Sequence, residues 1–140
     1  MDTKRLIATL NELLSKELAS EIRYRTHASL VTGLYAEPVM TRLKEIANDE
    51  AAHADKLRDR ITALGGQPTM KVAESDLIPA QEINRILAIN LKDEEDAVTQ
   101  YKRLLKTLPH EEGTILYEEI EGIVEDEQEH TEELRRLIGR

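Results

Sequence analysis

The residues able to do chemistry recur in one pattern. Glu50 and His53 stand three positions apart, as do Glu127 and His130; an aspartate directly precedes each glutamate (Asp49, Asp126), and a further glutamate, Glu17 or Glu94, lies 33 positions upstream of each. Positions i and i+3 of a helix sit about 60° apart on one face, so the glutamate and histidine of each copy can reach the same ion. Four carboxylates and two imidazoles form an oxygen-rich set with some nitrogen, which suits iron or manganese. Two divalent cations would also cancel four negative charges that are costly to bury unpaired. The chemistry to expect is redox work on a metal pair, of the kind done in carboxylate-bridged di-iron and di-manganese helix bundles.

One Glu-x-x-His in a chain with 28 acidic residues would read as a solvated helix face. Duplication changes that reading. A constant offset of 77 positions carries Glu17 to Glu94, Tyr24 to Tyr101, Asp49 to Asp126, Glu50 to Glu127 and His53 to His130, and apolar pairs such as Leu14 with Leu91 and Ile46 with Ile123 share it. Glu17, Glu50, His53, Glu94, Glu127 and His130 are therefore expected to be both the metal ligands and the catalytic residues. Glu50 and Glu127 are the expected bridging ligands, Glu17 and Glu94 the terminal ones. Asp49 and Asp126, four positions before the histidines, could accept the distal imidazole N–H within or across helices, although an exposed aspartate on an acidic helix needs no such role. Tyr24 and Tyr101, seven positions after Glu17 and Glu94, could donate to a ligating carboxylate or simply fill the core. His27 lies about 80° off the ligand face and reads as structural or exposed, and His110 reads as a loop histidine. Glu21 and Glu45 point near the ligand stripe and are candidates for admitting iron.

Four helices are needed to bring these groups together. Apolar residues at spacings of three and four predict helices over about 4–31, 38–64, 80–107 and 110–138. Gly33, Gly65-Gly66, Pro109 and Gly139 act as stops, Glu37-Pro38 and Pro79 as starts, and Gly113 should loosen the first turn of the last helix. Two short links imply two antiparallel hairpins. The stretch 65–79 is different: at about 3.3 Å per residue it can run the length of a helix, so it is expected to be a crossover that lets the second and third helices lie parallel. The expected architecture is all-α, a four-helix bundle of two hairpins joined by a long crossover, with residues 1–140 as one domain.

Composition narrows the partners. The chain has no cysteine, which excludes thiolate metal sites, iron–sulfur clusters and disulfides, so any metal sits on oxygen and nitrogen. A net charge of −9 argues against nucleic acid and against an anionic membrane surface. There is neither a long apolar run nor a leader-like N-terminus, and the expectation is a soluble, cytoplasmic protein.

The segments Leu13–Leu18, Asp49–Asp55 and Asp126–His130 resemble the ligand-bearing helices of the ferritin-like superfamily, and of bacterioferritin in particular, over nearly the whole chain. The resemblance implies a ferroxidase that binds two iron ions, takes Fe(II) as substrate and dioxygen or peroxide as oxidant, and serves iron storage or detoxification. It also implies a homo-oligomer of at least two chains. Ala51 stands where bacterioferritin has its haem-ligating methionine, so no haem is expected. Leu57 and Glu133 replace aromatic residues that deliver electrons in some members, and the sequence ends at Arg140 with no counterpart to the fifth short helix of bacterioferritin, which bears against a closed cage. Rubrerythrin, similar in its bundle and its tyrosines, implies the alternative of a di-iron or di-manganese peroxidase or oxidase that stores nothing; its rubredoxin domain needs cysteines, and Ala97 stands where its extra glutamate is expected. A metal-free helical interaction bundle is the third reading.

Overall fold

The structure is a computed structural model and describes residues 2–108 and 114–139. Four helices account for most of it: α1 (Thr3–Leu30), α2 (Ala36–Ala63), α3 (Ile83–Thr107) and α4 (Ile115–Ile138). There is no strand among the described residues, and none of their helices is long and apolar enough to cross a membrane. The expected stop at Pro109, the start of the last helix near 110, the loop histidine His110 and the loosening at Gly113 lie outside the described residues.

Helix ends follow local chemistry. The Asp2 carboxylate accepts from the Arg5 N–H at 2.8 Å and caps α1. α2 starts at Ala36, two residues before Pro38, which still falls in the first turn, where a missing N–H breaks no helical bond. α3 starts at Ile83 and not near 80, because the Glu82 carboxylate accepts from the N–H groups of Asn84 and Arg85 and fixes the boundary there. At the end of α2, Gly65 takes φ +86°, its N–H donates to Thr62 O, and the Gly66 N–H donates to Ile61 O. These two reversed bonds close the helix in a Schellman turn. A Cβ on Gly66 would come within 2.7 Å of the Ile7 side chain, so glycine also lets the chain lie against α1 as it leaves.

α1 packs on α2 and α3 on α4, while α1 also meets α3 and α2 meets α4. α2 and α3 are therefore diagonal partners, joined by residues 64–82, which contain one 3-10 turn at Glu74–Asp76. A polar stripe on α1 holds that crossover. Asn11 donates to Gln67 O and accepts from the Thr69 N–H, Ser15 donates to Lys71 O, Arg23 donates to Asp76 O, and the His27 Nε2–H donates to Ile78 O. Spacing in multiples of four puts these side chains on one helix face.

The apolar core forms two clusters. Leu10, Leu14, Leu57, Ile61, Leu104 and Ile123 fill one end, and Leu43, Ile46, Ile86, Leu87 and Leu134 the other. Burying each such side chain contributes about 1.5–3 kcal/mol. Ile22 and Leu30 of α1, although apolar, are 46% and 36% exposed, and Tyr24 and Ala28 take core positions. Between the clusters the bundle carries a polar layer.

Candidate metal centre

That layer consists of Glu17 on α1, Glu50 and His53 on α2, Glu94 on α3, and Glu127 and His130 on α4, all buried. The structure brings all six together as two overlapping groups. Glu17, Glu50, His53 and Glu127 offer ligand atoms that lie within 4.8 Å of one another, and so do Glu50, Glu94, Glu127 and His130. Glu50 and Glu127 belong to both groups. The Nδ1 of His53 is 2.8 Å from Glu17 Oε2 and 3.3 Å from Glu50 Oε1; the Nδ1 of His130 is 3.3 Å from Glu127 Oε1 and 3.4 Å from Glu94 Oε2.

These approaches are close, yet they do not satisfy the atoms involved. Both histidine Nδ1 atoms, both oxygens of Glu50 and of Glu127, and Oε2 of Glu17 and of Glu94 are buried without an aligned hydrogen bond. Eight orphaned polar atoms aimed at one volume would be expensive in an ordinary core, where each costs about 1–3 kcal/mol. They are the donor set that a pair of divalent cations needs, so the residues present fit such a pair.

The outer faces of both imidazoles are held. His53 Nε2 lies 2.8 Å from Asp126 Oδ2 on α4, and His130 Nε2 lies 2.8 Å from Asp49 Oδ2 on α2. The exchange runs across helices, and the two aspartates stand 46% and 43% exposed as Asp49 and Asp126. An Nε2–H donated to carboxylate leaves the Nδ1 lone pair facing the pocket, the tautomer that ligates.

The tyrosines divide. The Tyr24 hydroxyl donates to Glu94 Oε1 at 2.8 Å, whereas the Tyr101 hydroxyl is buried and makes no hydrogen bond. The expected bond from Tyr101 to a carboxylate is therefore absent. Burial, then Glu94, pushes Tyr24 well above the ordinary tyrosine range, and burial, then Glu17, does the same to Tyr101, so both hydroxyls keep their protons.

Without cations the pocket gathers protons. Burial, then Glu50, raises Glu17 and Glu127 well above the ordinary carboxylate range and lifts Glu94 to about 7. Burial resists charge on His53 as well, but Glu17 and Glu50 overrule it and raise it to about 11; the same contest, with Glu94 on the winning side, raises His130 to about 9. Burial alone would raise Glu50, yet the close approach of the His53 and Glu127 side chains keeps it lowered. Among the four ligand carboxyls Glu50 alone is lowered. Bound cations would have to displace the imidazole and carboxyl protons.

Other candidates fall outside the pocket. Glu21 pairs with Arg25 at 3.2 Å and Glu45 with Arg42 at 3.0 Å, both in ion pairs away from the ligands. His27 is buried: its Nδ1 accepts from Asn90 Nδ2 at 2.9 Å, and Asn90 Oδ1 accepts from Arg23 Nε at 2.9 Å. Arg23 also donates to Asp93 at 2.6 Å. Sequence reasoning missed this network. Its one signal in the sequence is the fourfold spacing of polar residues on α1.

A bundle whose waist is lined by four buried carboxylates and two imidazoles belongs to the carboxylate–histidine class of metal-binding four-helix proteins. A family model described as "Ferritin-like domain" matches residues 7–140. The chain is 30% identical over 127 residues to a bacterioferritin of Desulfovibrio desulfuricans, covering 90% of this chain and 70% of that protein. Among solved structures it is similar to a ferritin-like, diiron-carboxylate protein from Bacillus anthracis (TM-score 0.91, 29% identity, 99% of this chain and 100% of that one). It is also similar to a dodecameric thioferritin, the bacterioferritin-related protein from Bacteroides fragilis (TM-score 0.87, 26% identity, 97% and 85% covered). The chain belongs to the ferritin-like di-iron family, and within it is bacterioferritin-like.

Proposed function

We propose that this chain is a ferroxidase acting as one domain over residues 1–140, with Glu17, Glu50, His53, Glu94, Glu127 and His130 as ligands to two iron ions. The observation that carries the reading is the set of buried, unsatisfied ligand atoms meeting at the waist of the bundle. Two Fe(II) ions bound there would supply the electrons that dioxygen or peroxide accepts, and manganese could occupy the same donors. Glu50 and Glu127, common to both groups, suit the bridging position, while Glu17 and Glu94 each serve one side. His53 and His130 present Nδ1 inward because Asp126 and Asp49 hold their Nε2–H groups. Tyr24 holds Glu94 in place, and the flanking apolar clusters keep bulk water from the pocket.

Storage or detoxification of iron in a cytoplasmic homo-oligomer follows as part of the same proposal, supported by the dodecameric state of the Bacteroides fragilis relative. Anaerobic titration should find about two Fe(II) per chain, and admission of air should then oxidise them rapidly. Glu94→Ala should bind one fewer ion and lose the fast phase; wild-type oxidation kinetics in that variant would remove the catalytic assignment. Native mass with iron content separates a shell holding many irons per chain from a small peroxidase holding about two.

A further inference from the structure

A cavity of about 150 Å³ opens between α1 and α3 under the crossover, and its lining includes Glu17, Ser20, Arg23, Asp93, Ala97 and Tyr101. It touches the polar layer on one flank only: Glu17 and Tyr101 line it, whereas Glu94 and Tyr24 do not. Duplication explains the asymmetry. The offset of 77 matches Ser20 with Ala97 and Arg23 with Gln100, so the α1 copy is filled by polar side chains where the α3 copy has a methyl group one turn before Tyr101. The Tyr101 hydroxyl, on a residue only 1% exposed, has no hydrogen-bond partner. A protonated phenol left unsatisfied beside a cavity of that size is a donor available to whatever enters.

Charge and hydrogen bonding restrict the visitor. The other carboxylates around the cavity are each paired: Asp76 with Lys16 at 2.8 Å, Asp93 with Arg23 at 2.6 Å and Asp96 with Lys92 at 2.9 Å. A mouth neutralised in this way gives a free cation little attraction. The volume, about 150 Å³, admits a small molecule. A tyrosine O–H meets a partner that accepts, and the Glu17 carboxylate meets one that donates. Of the two oxidants in the ferroxidase reading, hydrogen peroxide does both and is neutral, whereas dioxygen is too weak an acceptor to use the phenol.

Resting on the ferroxidase reading, we propose that this cavity is the inlet and docking pocket for hydrogen peroxide as the oxidant, and that the Tyr101 hydroxyl donates to a peroxide oxygen and positions it against the Glu17 flank of the pocket. Tyr101 is then a substrate-binding residue, while its sequence counterpart Tyr24 holds a ligand.

Two variants and one soak test it. In Tyr101→Phe the KM for peroxide in Fe(II) oxidation should rise about fivefold to tenfold, the loss expected for one hydrogen bond, with kcat nearly unchanged and two Fe(II) still bound per chain in anaerobic titration. Ala97→Leu, which fills the cavity from α3, should slow the peroxide reaction with the same metal stoichiometry. Crystals of the Zn(II)-loaded protein soaked in hydrogen peroxide should show a two-atom molecule within hydrogen-bond reach of the Tyr101 hydroxyl. An unchanged KM in Tyr101→Phe, or a Tyr101 hydroxyl bonded to Glu17 beside a cavity without peroxide, would overturn the inference. Either result leaves the ferroxidase reading standing, because that reading fails only if the wild-type protein does not bind and oxidise iron.

Discussion

The two hairpins present the same ligands on different foundations. Around Glu94 the neighbouring residues Arg23, Asn90, His27 and Asp93 form a buried hydrogen-bonded network, and Tyr24 closes on the carboxylate. Around Glu17 three of the positions matched by the 77-residue offset are apolar or unengaged, Leu13 for Asn90, Leu104 for His27, and Tyr101 with its free hydroxyl, while Lys16, the match of Asp93, pairs with Asp76. The donor set tolerates little change, since every ligand atom must reach a shared centre. The surroundings can diverge, and those around Glu94 form the more extensive side-chain network under the crossover. Duplication set the geometry, and the covering segment broke the symmetry.

The strongest way to break the comparison is to remove a carboxylate common to both groups. Glu127→Ala should eliminate paired metal binding, whereas Glu17→Ala should leave the Glu50–Glu94–Glu127–His130 group able to hold one ion. Isothermal titration should read about no bound ion in Glu127→Ala against about one in Glu17→Ala, and equal losses in the two variants would show that the groups are not separable.

Next in size are the outer aspartates. Asp49→Asn and Asp126→Asn should each weaken metal affinity by about 10–100-fold, the usual loss when a histidine's outer partner is changed. Because the two contacts have the same length, the two losses should match. A clear difference between them would mean that the waist is less symmetric than its coordinates.

The network itself is sharpened by a paired substitution. Arg23→Met leaves the Asn90 carbonyl and the Asp93 carboxylate without their buried partner and should cost about 2–4 kcal/mol in denaturant unfolding. Its counterpart Gln100→Met should change stability by about 0.5 kcal/mol or less. Comparable costs would contradict the claim that the flank around Glu94 is the more firmly pinned.

The smallest expected effect is the pH dependence of the metal-free protein. His130 and His53 are raised from 6.5 to about 9 and about 11, and Glu94 from 4.5 to about 7, so the folded state binds these protons more tightly than the unfolded one. Stability from the histidines is complete below pH 6.5 and is lost as pH climbs through their folded values; the raised Glu94 adds a loss between 4.5 and 7. Tm without metal should therefore fall by several degrees from pH 6 to pH 9, while the gain in Tm on adding metal should grow over the same range. A metal-free Tm that rises with pH would show the pocket to be loosened and hydrated.

Much of this was legible in the residues. The repeated Glu-x-x-His spacing, the upstream glutamates and the loop lengths locate the ligand layer, because helical periodicity converts sequence distance directly into direction. Asp49 and Asp126 could be placed near the imidazoles, but not assigned across helices until the packing of α2 on α4 was known. Tyr24 and Tyr101 look equivalent in sequence; what separates them is tertiary, the space beside Ala97 and the polar filling around Arg23. His27 reads as structural or exposed in sequence and is structural; its partners Asn90 and Ile78 come from a distant helix and from the crossover, so they could not be assigned from spacing. The start of α3 moved because a glutamate side chain, and not the proline before it, supplied the cap.

The manner in which α1 grips the crossover has an evolutionary corollary. Gln67, Lys71, Asp76 and Ile78 each take part through a carbonyl oxygen, an atom that every amino acid carries. Descendants of this gene can therefore rewrite much of that segment while its path stays fixed, and the stripe on the first helix, not the strap it holds, is where the inheritance of that path is written.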